Sequence, residues 1–268
     1  MLDIYLPEKV DQALPLVIYI HGGGWSGGDK KYFPAQVLVS QGYAVASINY
    51  RFIKEAIFPA QIHDCKGAVR WLRAHAKEYH FDPDHFGVWG DSAGGHLVAL
   101  LGASGDAKEI EGDVGGNLDQ SSRVQCVIDW YGPTDMSVFF EQAEQQSGKV
   151  ENIFKKDPDH SVIAQLFGGP TREHEELVQQ ANPVHFVTKD DAPFLIMHGD
   201  KDTLVPLAQS EMLAEALKKA GVEVHLETYE GAGHGGPAFF SPTARGMMLQ
   251  FLNKHLKSEK NTGQAGAK

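Results

Sequence analysis

Gly90-Asp91-Ser92-Ala93-Gly94 sets one serine among small residues. The run 86–89 before it reads as a short buried strand, and 95–101 after it as an apolar helix. A serine on a sharp strand-to-helix turn holds its hydroxyl clear of the backbone, where it can attack an acyl carbon. Small neighbours let strand and helix pack closely around a strained residue. The helix that follows points its positive end at the place where negative charge develops during acyl transfer. By itself a G-x-S-x-G match carries little weight, because its residue types are common. The reading stands or falls with its partners.

A serine is a poor nucleophile until a base takes its proton and an acid holds that base in the right tautomer. In the Gly-rich stretch 231–236 only His234 carries a side chain that can move a proton. His225 falls inside a strand pattern and reads as structural. For the acid, Asp200 and Asp202 both follow the apolar run 194–197. Asp202 lies further along the loop and is better placed to reach over a sheet edge. The fourth requirement is a set of donors for the developing oxyanion. His21-Gly22-Gly23-Gly24-Trp25 follows the apolar run 16–20, so the backbone N–H groups of Gly23 and Gly24 are candidates, together with that of Ala93. Glycines there let the amides turn inward and approach a substrate closely.

These residues need strands to carry them. Strand candidates cover 2–6, 16–20, 43–49, 86–89, 124–130, 194–197 and 222–229, with helical stretches between them. That alternation predicts an α/β fold: a mostly parallel twisted sheet covered by helices on both faces. The first two strands are joined by a short loop and are expected to pair antiparallel. Helices are expected at 61–79, at 213–220 closed by Gly221, and at 240–256. Residues 137–188 are too long and polar for a plain crossover, with short helical pieces at 139–146, 161–167 and 173–180. They read as an insertion forming a small cap beside the site. The chain is expected to form one domain over 1–257, with a disordered tail at 258–268.

Taken together, these segments resemble α/β-hydrolase esterases of the hormone-sensitive-lipase-like branch, and bacterial feruloyl-esterase-like carboxylesterases within it. The matching segments are 2–7, 21–25, 90–95, 198–206 and 231–235, spread over nearly the whole chain. The resemblance implies an α/β-hydrolase fold with the triad Ser92, Asp202 and His234, in the chain order of that fold. It also implies oxyanion donors at Gly23 and Gly24. Its members usually have a further strand before the one at 2–6. The chain is therefore expected to be trimmed from a longer protein, with any export signal lost in the trim.

Several alternatives weigh less. The spacing Gly22-x-Gly24-x-x-Gly27 fits a dinucleotide fingerprint, but no helix starts at once, so no nucleotide cofactor is expected. The 13 histidines show no metal-ligand spacing, and no metal is expected. His21 is expected to stiffen its own loop, His96 to pack beneath the elbow, and Asp91 and Asp64 to brace the site. A formal net charge of −11 argues against a nucleic-acid partner. No apolar run approaches the roughly 18 residues of a membrane span, and no signal peptide is visible. Cys65 and Cys126 read as buried small hydrophobes, with pairing left open. The expected function is hydrolysis of small acyl or aromatic esters, of acetyl or feruloyl type. Trp25, Tyr131 and Val205 are expected to line the pocket. The partner is a small-molecule ester, and the protein a monomer or homodimer. The alternatives are an amidase such as an aryl formamidase, or a non-catalytic binding protein on the same fold.

Overall fold

The computed structural model describes residues 1–105, 107–147 and 158–257. Seven strands form one sheet: β1 (Leu2–Tyr5), β2 (Leu14–Ile20), β3 (Ala44–Ile48), β4 (Phe81–Asp91), β5 (Cys126–Trp130), β6 (Phe194–Gly199) and β7 (Val224–Tyr229). Their spatial order is β1-β3-β2-β4-β5-β6-β7, with every pairing parallel except β1 with β3. The expected antiparallel pairing of the first two strands is therefore corrected: β1 pairs with β3. Both edges of β2 are taken by β3 and β4, so β1 finds its partner on the free edge of β3.

β2 is buried along all seven residues, as a central strand covered on both faces must be. Its side chains alternate. Leu16, Ile18 and Ile20 enter one core, while Val17 and Tyr19 enter the other. The first core is closed by α1 (Ala60–Ala74), α2 (Ala93–Ala103) and α6 (Leu207–Ala220). The second lies under α7 (Pro242–Leu256) and the 3₁₀ turn Pro34–Gln41. Cys65 sits in the first core and Cys126 in the second, so the sheet separates them and both thiols are free.

Helix α1 ends at Ala74, five residues before the expected stop. His75 turns back onto Trp71, and His80 takes a left-handed φ of 59° that starts β4. α7 likewise starts at Pro242, because Ser241 caps it through Ala244 N–H after the 3₁₀ turn Pro237–Phe240. Among the described residues between β5 and β6 lie three short α-helices, α3 (Phe139–Ser147), α4 (Val162–Phe167) and α5 (Glu175–Gln180). The expected tail at 258–268, and residues 148–157 of the expected insertion, fall outside the described residues. No helix among the described residues is long and apolar enough to cross a membrane.

Candidate active site

Five loops leave the C-terminal ends of β2, β4, β5, β6 and β7, and so gather at one sheet edge, where open α/β sheets build their sites. Ser92 stands between β4 and α2 with φ 53° and ψ −120°. A side chain in that region costs about 1–3 kcal/mol and persists only where its surroundings impose it. Those surroundings are on either side. Ser92 N–H donates to Trp130 O at 2.8 Å, and Ser92 O accepts from His96 N–H at 3.0 Å. α2 starts at the next residue, so its N-terminus lies beneath the hydroxyl.

His234 crosses from the β7 loop to Ser92. Its Nδ1 lies 2.7 Å from Asp202 Oδ2 and its Nε2 lies 2.9 Å from Ser92 Oγ. A carboxylate only accepts, so Nδ1 carries the proton and Nε2 is left to accept from the serine hydroxyl. Asp202 is buried, and its Oδ1 accepts from Leu204 N–H at 2.8 Å and Val205 N–H at 2.9 Å. Burial works against its charge. Hydrogen bonds from His198 and His234 outweigh burial and hold the carboxyl well below the usual carboxylate range. Asp200, the other candidate acid, turns the opposite way. It accepts from Gly231 N–H at 2.6 Å, pairs with Lys201 and stays 25% exposed. The two loops are also joined directly, by Asp200 N–H to Tyr229 O and Lys201 N–H to Ala232 O.

Gly23 and Gly24 adopt φ of 106° and 58°, conformations that favour glycine. Among the described residues, none accepts a hydrogen bond from the N–H of Gly23, Gly24 or Ala93. Their loop rests on Asp91, which accepts from Tyr19 O–H and from Gly22 N–H at 3.2 Å. Burial pushes the Asp91 carboxyl up, against the pull of those two bonds. Asp64 braces a different loop, holding Arg51 through paired contacts of 2.8–3.0 Å. His21 stacks on Tyr50 at 4.7 Å and bonds Gly22 O through Nδ1.

Tyr131 packs its ring 4.5 Å from that of His234, with φ 43°. Trp25 is 2% exposed, and Val205 is buried as well. The Trp25 indole donates to His96 Nδ1 at 3.3 Å, and His96 Nε2 donates to Ala181 O at 2.7 Å. His96 thus ties the glycine loop to the 137–188 segment, and burial pushes its pKa down to about 4. That segment touches the site twice more. Val162 of α4 packs over Gly24, and Gln146 of α3 bridges Asp202 O and Leu207 N–H. Neither His96 as a bridge nor His198 behind Asp202 was marked in the sequence. The only signal for His198 was its place at the head of the acid loop. Among the described residues no cluster of three His, Cys, Asp or Glu is arranged to hold a metal.

A nucleophile-type elbow, a buried acid, a bridging histidine and a glycine loop on a mostly parallel sheet define an α/β-hydrolase. Comparison with known proteins agrees. The chain belongs to the BD-FAE family, whose model matches residues 2–217. A TAP-like protein model also matches residues 173–262. The esterase LipC of Mycobacterium tuberculosis is 30% identical over 263 residues, 95% of this chain and 62% of LipC. Two further relatives from that bacterium are covered over 50% and 48% of their lengths, so the chain spans only part of such proteins. Among solved structures, a truncated carbohydrate esterase from gut microbiota is 34% identical with a TM-score of 0.84, covering 96% of this chain and 91% of that one. An acetyl ester-xyloside bifunctional hydrolase from Caldicellulosiruptor lactoaceticus is 26% identical with a TM-score of 0.72, over 94% and 87%.

Proposed function

We propose that this chain is a serine carboxylic ester hydrolase working through an acyl-enzyme on Ser92. The observation that carries the reading is the unbroken hydrogen-bonded line from Asp202 Oδ2 through His234 to Ser92 Oγ. His234 Nε2 takes the hydroxyl proton as Oγ attacks the ester carbonyl. Asp202 stabilises the imidazolium that forms. The N–H groups of Gly23, Gly24 and Ala93 receive the oxyanion. Collapse returns the proton from His234 to the departing alcohol, and water then repeats the sequence on the acyl-enzyme. No cofactor takes part in these steps.

The substrates in this reading are small acyl or aromatic esters, with acetyl or feruloyl groups on carbohydrate as the class. Support comes from the likeness to an esterase acting on carbohydrate and to an acetyl ester-xyloside hydrolase. Residues 1–257 act as one domain, and the 137–188 segment serves as a cap, consistent with Val162 over Gly24 and Gln146 on Asp202. Tyr131 lines the pocket beside His234, with Trp25 and Val205 supporting the walls from behind. The test is hydrolysis of p-nitrophenyl acetate, butyrate and octanoate beside methyl ferulate, with Ser92→Ala as control. Turnover that disappears in Ser92→Ala supports the reading. A folded wild-type protein inactive on all four esters refutes it and turns attention to amides.

A further inference from the structure

His198 sits inside β6 and is 0% exposed, so it has no access to a substrate. Its surroundings are wholly polar at both ring nitrogens. Nε2 lies 3.0 Å from Val205 O and 3.2 Å from Asp202 Oδ2. Nδ1 lies 2.7 Å from the hydroxyl of Ser210 on α6. A carbonyl oxygen only accepts, so the Nε2 proton is required, and it faces two acceptors at once. The Ser210 hydroxyl then donates to Nδ1, which selects that tautomer.

The consequence falls on Asp202. A carboxylate offers about four acceptor positions, and here four donors approach it. Leu204 N–H and Val205 N–H hold Oδ1 and His234 Nδ1–H holds Oδ2, while His198 Nε2, bonded to Val205 O, lies 3.2 Å from that same Oδ2. The first two lie on the acid's own loop and locate only one oxygen. His198 comes from the strand and is fixed by α6, so it ties the second oxygen to the rigid frame. Val205 serves both ends: its N–H holds Oδ1 and its carbonyl shares the His198 proton.

We propose that His198 is a positioning residue for the catalytic acid, fixing Asp202 Oδ2 where His234 must meet it, with Ser210 holding the required tautomer. The proposal rests on the reading of Ser92, His234 and Asp202 as a triad. It adds a claim that the triad reading does not contain: the acid's aim is set from outside its own loop.

Three variants test it. His198→Gln keeps an amide N–H for Asp202 and Val205 O and an oxygen for Ser210. His198→Leu keeps similar bulk without a donor, and His198→Asn is too short to reach. Each is checked for folding by circular dichroism and melting temperature, then assayed with p-nitrophenyl acetate. The expected result is a kcat about 10- to 100-fold lower in His198→Leu, the upper end being the loss that a misplacement of about 1 Å can cause. KM stays within about twofold, and His198→Gln recovers most of the loss. Should His198→Leu fail to fold, His198→Asn takes its place with the same expectation. Wild-type kcat in folded Leu or Asn variants overturns the proposal. So does an equal loss in all three variants, since that would reflect packing alone. Wild-type protein and Ser92→Ala run alongside. If wild type is inactive, or Ser92→Ala is not, the triad reading fails first and the two failures are told apart.

Discussion

Gly22 offers a test of how closely the glycine loop must approach the elbow. Its φ lies outside the left-handed region, unlike those of Gly23 and Gly24, so an alanine meets no backbone penalty there. What it meets is space. A Cβ at Gly22 would stand 2.6 Å from Asp91 Oδ2, 2.8 Å from Asp91 O and 3.1 Å from Ser92 Cβ. All three atoms belong to the elbow itself, and Asp91 is held by Tyr19, so the loop has to retreat by several tenths of an ångström. Overpacking of this kind costs about 1–3 kcal/mol, a fall in melting temperature of roughly 2–12 °C for a domain of this size. The retreat also withdraws the N–H groups of Gly23 and Gly24. Loss of one oxyanion donor lowers kcat by about 10²–10³. Gly27→Ala is the matched control in the same loop, because its added Cβ meets nothing within 4 Å. We expect p-nitrophenyl acetate kcat to fall at least about 100-fold in Gly22→Ala and to stay near wild type in Gly27→Ala. A folded Gly22→Ala protein with wild-type kcat would falsify the claim that this loop supplies the oxyanion donors.

The two candidate acids separate cleanly. Asp202→Asn should lower kcat by about 10⁴ by imposing the wrong tautomer on His234, while Asp200→Asn on its exposed loop should leave steady-state kinetics within about twofold. Stability below neutral pH should carry the mark of His96. Its folded pKa of about 4 lies under the ordinary value near 6.5. The unfolded chain therefore takes up the proton first, and stability present above pH 6.5 is lost as pH falls toward 4. The loss is roughly 3 kcal/mol, at 1.36 kcal/mol per unit. Urea unfolding at pH 7 and pH 4.5 should show a shallower decline for His96→Gln than for wild type, and equal declines would contradict the assignment. Cys65 and Cys126 are both buried and burial pushes both thiols up. A thiol reagent such as DTNB should label neither in the native protein over minutes and both in urea; fast labelling of the native protein would contradict their burial.

Much of the site could be read from local sequence because its parts are local. The elbow, the glycine loop and the histidine loop each occupy a few consecutive residues after an apolar strand, and each strand's direction carries its loop to the same edge. The spacing of apolar residues likewise determined the α/β class and the alternation of layers. The chain order of serine, acid and histidine followed from these pieces without any distance. Other features depended on groups that meet only in three dimensions. β1 chose the edge of β3 because both edges of β2 were filled by strands further along the chain. Asp202 rather than Asp200 faces His234 because the loop turns one carboxylate inward over the buried His198 and the other out to Lys201 and Gly231. The Trp25 indole meets His96 across 71 residues, and His96 meets Ala181 across 85. Short-range pattern therefore determined which loops gather around Ser92. Packing between distant segments decided which side chains within those loops are aimed at Ser92, because a side chain's direction is set by what it is buried against.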